Sequence, residues 1–296
     1  MSNGYRAGTI AIVGRPNVGK STLLNQLVGQ KISITSRKPQ TTRQRITGIL
    51  TRDDAQLVFV DTPGFQTQHR GAMTRIMNRS VTQSLQEIDV VLWVIEAMKC
   101  NDLDAALYRQ LPRTVPLMLA INKIDLLADR KTLLPFIKEL HERFQPDAIV
   151  PLAAQKNLQL DELLKTIIPR LPEGPPLFEA DEITTASERF MAAELIREKL
   201  FRLLGDELPY ATAVEIERFE TLNNLRRIYA SVIVDKASQK AIVIGKGGEK
   251  LKAVGTQARK DMEQLFGGKV YLEVWVKVKS GWADSAATLK RLGFDV

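Results

Sequence analysis

Thr9-Ile10-Ala11-Ile12-Val13-Gly14-Arg15-Pro16-Asn17-Val18-Gly19-Lys20-Ser21-Thr22-Leu23 is the stretch that decides the fold. Thr9–Val13 reads as a short buried strand, and Ser21–Val28 continues as a helix. Between them the sequence fits G-x-x-x-x-G-K-[ST], in the strand-to-helix setting that this pattern requires. Glycines let successive backbone N–H groups curl round a phosphate at a helix N-terminus. Lys20 puts a cation by the β- and γ-phosphates, and the Ser21 hydroxyl can take Mg²⁺. The apolar runs Leu57–Val60, Val90–Ile95, Leu117–Ile121 and Ile149–Leu152 follow. They alternate with helical patterns at Asp104–Leu111, Leu133–Phe144 and Gln159–Ile168. Buried strands alternating with helices argue an α/β fold, a mostly parallel sheet with helices on both faces.

The grammar changes at Leu171-Pro172-Glu173-Gly174-Pro175-Pro176, a run that continues neither a helix nor a central strand. Beyond it a helix, Ser187–Leu204, leads to two β-rich runs, Ala211–Glu217 and Arg227–Val234. A glycine-rich helical stretch and a last strand, Val270–Val278, complete a small α+β domain. The expected division is residues 1–172, a linker over 173–184, and 185–296. Length agrees, since 296 residues make about two domains of ~150.

Composition narrows the class. The chain has 42 Lys and Arg, 34 Asp and Glu, and a net charge of +8, which favours an anionic partner. Residues 1–175 carry 23 basic and 16 acidic side chains, residues 176–235 carry 7 and 12, and residues 236–291 carry 12 and 5. The second domain is therefore polarised, with one basic segment fit to face phosphates. One cysteine, Cys100, excludes a disulfide framework and fits a reducing compartment. No apolar run approaches the ~20 residues of a membrane span, and Met1–Arg6 contains no signal-peptide core. Secreted, transmembrane and fibrous classes drop out.

Two further motifs follow strands. Asp61-Thr62-Pro63-Gly64 comes after Leu57–Val60. A carboxylate there can hold Mg²⁺, usually through water, and Gly64 leaves backbone room near a γ-phosphate. Alone, the tetrapeptide reads as a turn; its place after a phosphate loop gives it a function. Asn122-Lys123-Ile124-Asp125 follows Leu117–Ile121. A carboxylate at Asp125 can accept from the N1–H and 2-amino group of guanine, donors that adenine lacks. Asn122 would tie neighbouring loops together, and the Lys123 stem would cover the base. The plainer alternative is a helix cap at Asp125.

The three motifs in this order resemble the translation-factor-like GTPases of the Ras-type P-loop class. Pro39-Gln40-Thr41-Thr42-Arg43 resembles the switch I of the Era/Der group. The resemblance implies that Thr42 completes the Mg²⁺ shell, with Thr41 as the alternative. Arg37, Lys38, Arg43 and Arg45 surround it. Two departures stand out. Leu152-Ala153-Ala154-Gln155 replaces the usual Ser-Ala pair. Ala154 would present its N–H to guanine O6, while the hydroxyl is absent at Ala153. Phe65 follows Gly64 where Ras-type relatives place a water-orienting glutamine, so hydrolysis should rest on Lys20, Mg²⁺ and the phosphate loop. Related GTPases use an Asn at the position of Asn17 to coordinate potassium, which makes K⁺ a candidate cofactor beside GTP, GDP and Mg²⁺.

In the second domain Gly245-Lys246-Gly247-Gly248 is a G-x-x-G. It precedes an amphipathic helix through Gln257, Met262 and Leu265 and lies in the basic segment. Its setting resembles a KH domain, in which such a loop lets a nucleic-acid backbone approach closely. Lys250 and Lys252 extend the basic character. Ala241–Ile244 has strand propensity, but the resemblance makes it the short helix before the loop. From about Gly8 to about Trp282 the chain resembles the Era family of bacterial ribosome-assembly GTPases. Arg189-Phe190-Met191-Ala192, Glu207-Leu208-Pro209-Tyr210, Val214-Glu215-Ile216-Glu217, Ala258-Arg259-Lys260-Asp261-Met262 and Val276-Lys277-Val278-Lys279-Ser280-Gly281-Trp282 carry the match. The resemblance implies a type II KH module, binding of the 3′ end of 16S ribosomal RNA, and a role in 30S subunit maturation. It also implies a cytoplasmic monomer with peripheral contact to the inner membrane. Rival readings are a P-loop kinase of small metabolites, a non-hydrolysing RNA-binding module, and a tRNA-modification GTPase.

Overall fold

The computed structural model describes residues 4–36, 38, 41–63, 79, 85, 87–205 and 208–292. Over these residues the chain forms two compact units. The first runs to Thr185 apart from Ile34–Thr41; the second takes that segment and Ala186 onward.

The first unit is built on a sheet in the order β2-β3-β1-β4-β5-β6. Its strands are β1 (Arg6–Val13), β2 (Ile46–Thr51), β3 (Ala55–Asp61), β4 (Val90–Glu96), β5 (Leu117–Asn122) and β6 (Ala148–Pro151). All pair in parallel except β2, which runs antiparallel to β3. The central strands are buried along nearly their whole length, which is why they read as unbroken apolar runs. On one face α2 (Asp102–Tyr108) and α3 (Leu133–Phe144) cover Val91, Trp93, Ile95 and Leu119, and α4 (Leu160–Ile167) follows β6. Trp93 stacks on Tyr108 at 5.6 Å and meets Phe144 edge-on at 5.0 Å. On the other side α1 (Lys20–Val28) comes so close to β2 that a Cβ on Gly48 would lie 2.7 Å from Leu24 Cδ1. The strand order reverses at β1, between β3 and β4, so the crevice beyond the carboxyl end of β1 is where an open α/β sheet receives its ligand.

The sequence pattern marks no strand at Ile46–Thr51 and makes 173–184 a linker. The structure instead lays 173–184 along the first unit. Gln56, fully buried, accepts from the amides of Leu177 and Phe178 at 2.6 and 2.9 Å and donates to the Phe178 carbonyl at 2.8 Å. Further on, Ile49 N–H donates to Ile183 O at 2.9 Å and the Thr184 hydroxyl to Thr47 O at 2.6 Å. Prolines deny this stretch a helix, so side chains and the free side of β2 satisfy its backbone. A one-residue tie, Arg6 to Glu173 at 2.8 Å, fixes its start.

The second unit has the order α5 (Glu188–Leu203), β7 (Thr212–Leu222), β8 (Leu225–Val234), α6 (Ala237–Ile244), α7 (Glu249–Phe266), β9 (Lys269–Val278) and α8 (Ala286–Arg291). Asn223 and Asn224, both left-handed at φ 49 and 62, close the β7–β8 hairpin in two residues. β9 pairs parallel to β8. Ala192, Ile196 and Leu200 of α5 and Val254, Ala258 and Met262 of α7 pack on Ile228, Ala230 and Val232. Trp282 and Leu289 close on Ala213 and Ile233 in a smaller cluster. Ala241–Ile244 is helical: packing of Val243 into the core overrides its strand propensity.

Candidate functional site

The loop from Gly14 to Gly19 joins β1 to α1, and Gly19 caps the helix at φ 105. No side chain caps that helix and its first turn holds no acid, so its N–H groups are free to meet an anion. Lys20, 6% exposed, folds back over the loop and donates to the carbonyls of Gly14 at 3.0 Å and Arg15 at 2.9 Å. Burial pulls its ammonium down to about 8, with Arg15 adding to the fall and Asp61 opposing it. Arg15 turns to α2, its Nε 2.6 Å from the buried Asp104. Pro16 and Thr22 are half-buried beside the loop, and Asn17 is exposed with φ 65.

Three hydroxyls converge on Asp61 at the end of β3. Its Oδ2 accepts from Ser21 at 2.8 Å, Ser33 at 3.1 Å and Thr42 at 3.4 Å, and Ser21 and Thr42 lie 2.8 Å apart. Thr41 instead donates its hydroxyl to Lys38 O at 2.7 Å, which favours Thr42 of the two threonines. Ser33 was not foreseen. Asn25 of α1 places it by accepting from the amides of Ile32 and Ser33 and donating to Ser33 O. Among the described residues Asp61 Oδ1 is buried without a hydrogen-bond partner, and burial pushes the carboxyl up against the pull of Lys20 and the hydroxyls. A hard oxygen set with an orphaned buried carboxylate oxygen fits a small divalent cation. Thr62 is pinned elsewhere, its hydroxyl donating to Ile12 O at 2.9 Å, and Pro63 follows it. Arg37, Pro39, Gln40, Gly64 and Phe65 lie outside the described residues.

Asn122, at the end of β5, is a junction. Its Nδ2 donates to Val18 O at 2.8 Å, and its Oδ1 accepts from Lys123 N at 2.8 Å and Ala154 N at 2.9 Å. Ala154, expected to offer its amide to a base, gives it to Asn122 here. Ala153 is buried and bridges to Leu158. Lys123, left-handed at φ 66, sends Nζ to Asn17 O and to Glu96 Oε2, each at 2.7 Å. Ile124 anchors the turn in the core. Asp125 stands half-exposed on a single 3₁₀ turn, and among the described residues its carboxylate has no partner.

In the second unit Gly245, Lys246, Gly247 and Gly248 link α6 to α7. Gly245, Gly247 and Gly248 have φ 75, 59 and 82, and Lys246 stands exposed. Lys250 packs on Gly245, where a Cβ would lie 2.8 Å from its Cγ. A groove of about 370 Å³ runs from Gly248 of this loop, with Lys252, Thr256 and Arg259 on α7 and Leu272 and Val274 on β9. An apolar floor under a cationic rim suits stacked bases and their phosphates. Thr256, Arg259, Leu272 and Val274 were not foreseen, although 252, 256 and 259 share a helix stripe.

Residues 9–123 match the family model described as 50S ribosome-binding GTPase, and residues 207–283 match the KH domain model. The chain is 58% identical over 294 residues to GTPase Era of Nitrosomonas eutropha, covering 99% of each. It is 52% identical over 296 residues to GTPase Era of Bordetella pertussis, covering 100% of each. Among solved structures it is similar to an Aquifex aeolicus Era variant bound to GDP and aluminium fluoride, with TM-score 0.95, 40% identity, and 98% and 100% of the two chains covered. It is equally similar, at TM-score 0.95 and 40% identity over 99% of this chain and 100% of the other, to Era in complex with MgGDPNP and nucleotides 1506–1542 of 16S ribosomal RNA.

Proposed function

The chain belongs to the Era family of GTPases, and from that premise we propose a Mg²⁺-dependent GTPase that binds the 3′ end of 16S ribosomal RNA and assists 30S subunit assembly. Its nucleotide state sets its hold on the RNA. The observation that carries this reading is the meeting of Ser21, Thr42 and Asp61 oxygens next to Lys20. Hydrolysis transfers the γ-phosphoryl group to water, breaking its bond to the β–γ bridging oxygen. Negative charge grows on that oxygen as the bond breaks. Lys20 and the amides of the Gly14–Ser21 loop face this charge without reorganising. Ser21, Thr42 and Asp61 would hold Mg²⁺, which would supply positive charge against the β- and γ-phosphates. Asn17 with a potassium ion is part of the proposal as a further source of positive charge. Asp125 selects guanine, and the Asn122 junction holds the two loops to one another.

The groove along α7 and β9 is the proposed seat of the RNA, with its backbone against Gly245–Gly248. No described helix is long and apolar enough to cross a membrane. The proposal places the chain in the cytoplasm with its RNA, so that contact with the inner membrane would be peripheral. Crosslinking in cells followed by sequencing of the bound RNA tests the reading. The 3′ end of 16S ribosomal RNA should dominate. Replacing Lys246 and Gly247 with Asp should remove that signal while GTP turnover stays normal, because Asp tolerates the left-handed φ of 59 at Gly247. An unchanged crosslink profile in that variant would refute the groove assignment.

A further inference from the structure

The carboxyl end of β4 carries a charge network outside the three nucleotide motifs. Glu96 ends the strand and pairs in register with Asn122 of β5. The next residue, Ala97, donates its N–H to Asn122 O at 2.9 Å. Glu96 is thus mounted rigidly next to the guanine motif. Its Oε2 lies 2.7 Å from Lys123 Nζ, and its Oε1 lies 2.5 Å from Lys99 Nζ. The same Lys123 ammonium donates to Asn17 O at 2.7 Å. Burial works to raise the Glu96 carboxyl, but hydrogen bonds from Lys123 and Lys99 outweigh it and hold it below its ordinary value. The connection from β4 to α2 also grips the phosphate loop at a second point. Lys99 O accepts from Arg15 at 2.7 Å, and Asp104 holds Arg15 Nε at 2.6 Å.

We propose that Glu96 is a positioning residue for nucleotide binding, its carboxylate holding the Lys123 ammonium on the Asn17 carbonyl and so locking the guanine loop to the phosphate loop. The inference rests on the reading of Lys123 as part of the guanine site. A lysine side chain has many rotamers to lose and a strongly hydrated head, so a single carbonyl does not hold it. A fixed carboxylate does, through a charge-assisted bond. The contact made is between two loops whose backbones are both left-handed there. Lys20 and Ser21 open α1 and Asp61 ends β3, and this contact touches none of them; it takes the main-chain carbonyl of Asn17 and not its side chain. Losing the lock should therefore weaken nucleotide binding and leave the chemical step alone.

Glu96→Gln keeps the shape and removes the charge. In the full-length protein, KM for GTP and the dissociation rate of a fluorescent GDP should both rise about tenfold, the size of one charge-assisted hydrogen bond in a partly exposed pair. The kcat should stay within about twofold, and the preference for GTP over xanthosine triphosphate should not change, because Asp125 is intact. Lys99→Met removes only the exposed arm and should shift KM by less than about twofold. In a Lys123→Met background, Glu96→Gln should add nothing. Unchanged KM in Glu96→Gln, a fall in kcat at constant KM, or the same tenfold loss without Lys123 would each overturn the proposal. A wild-type protein that fails to bind GTP would instead overturn the guanine-site reading on which it rests.

Discussion

Gly19→Ala is the sharpest test of the junction between phosphate loop and guanine loop. Gly19 sits at φ 105 and ψ 22, and a Cβ there would lie 2.2 Å from Asn122 Nδ2. Asn122 is only 2% exposed and cannot swing into solvent. To make room it must abandon Val18 O at 2.8 Å, and with that its grip on Lys123 N and Ala154 N. Left-handed backbone on an L residue costs about 1–2 kcal/mol. A buried donor left unsatisfied costs about 1–3 kcal/mol more. The sum, about 2–5 kcal/mol, is a large share of the ~5–15 kcal/mol that holds a domain together. The assay is thermal unfolding with and without GDP. Ligand at a hundred times its Kd adds about 2.7 kcal/mol to a folded protein. The variant should melt earlier and lose most of that protection, because the loop that receives the base is displaced. Gly29→Ala is the control. It has φ 78 but open space around the added carbon, so it should show the backbone cost alone and keep the GDP shift. A Gly19→Ala protein with wild-type melting and a wild-type GDP shift would refute the reasoning.

Asp125→Asn should lose GTP and gain xanthosine triphosphate, since an amide can donate to the carbonyl that replaces guanine's 2-amino group; competition binding that still favours GTP would dismiss Asp125. Lys20 is held down to about 8 by burial in the free loop, and a bound phosphate would restore its charge. Affinity for GTP should therefore be complete below about pH 8 and fall as pH rises above it, with proton uptake on binding; calorimetry in buffers of different ionisation heat at about pH 7 and about pH 9 checks this, and no uptake at the higher pH would show Lys20 already charged. If Asn17 helps hold potassium, hydrolysis should run faster in potassium than in sodium salts at matched ionic strength, and Asn17→Ala should erase the difference; equal turnover in the two salts rules it out.

The motifs that were legible are those whose chemistry is local. A phosphate loop needs its glycines and lysine within eight positions, and the buried strands before Asp61 and Asn122 announce themselves by unbroken apolar runs. Leu133–Phe144 is a helix over the very span that its periodicity marks. What was not legible depends on partners distant in the chain. β2 is interrupted by Thr47 and Gly48, and only pairing with β3 and packing under α1 make it a strand. Ser33 reaches Asp61 because Asn25 holds its backbone, and no spacing rule connects the three. Glu96 acquires a role only through the β4–β5 register. The Ala154 amide reads in the sequence as a donor to guanine O6, while its contact with Asn122 Oδ1 at 2.9 Å joins residues 32 positions apart and has no local signal.

The stretch 173–184 has a consequence for how this molecule keeps to itself. A sheet ends in two rows of unpaired amides and carbonyls, and such rows invite strands from other chains. On one side β6 is four residues long and finishes in Pro151, which has no N–H to offer. On the other, β2 would stand open were it not for the Ile49–Ile183 bond and the Gly48–Thr184 bridge. The covering is not a strand that could itself template growth, because among the described residues it meets β2 through Ile183 and Thr184 rather than through a continuous ladder. A truncation after Pro172 would strip it away and uncover β2, and the shortened protein should self-associate in proportion to its concentration. Extending the same fragment to Thr185 should keep it dispersed. A segment that looks like slack between two domains thus works as a selvage, the finished margin that stops the fabric from joining to its neighbours.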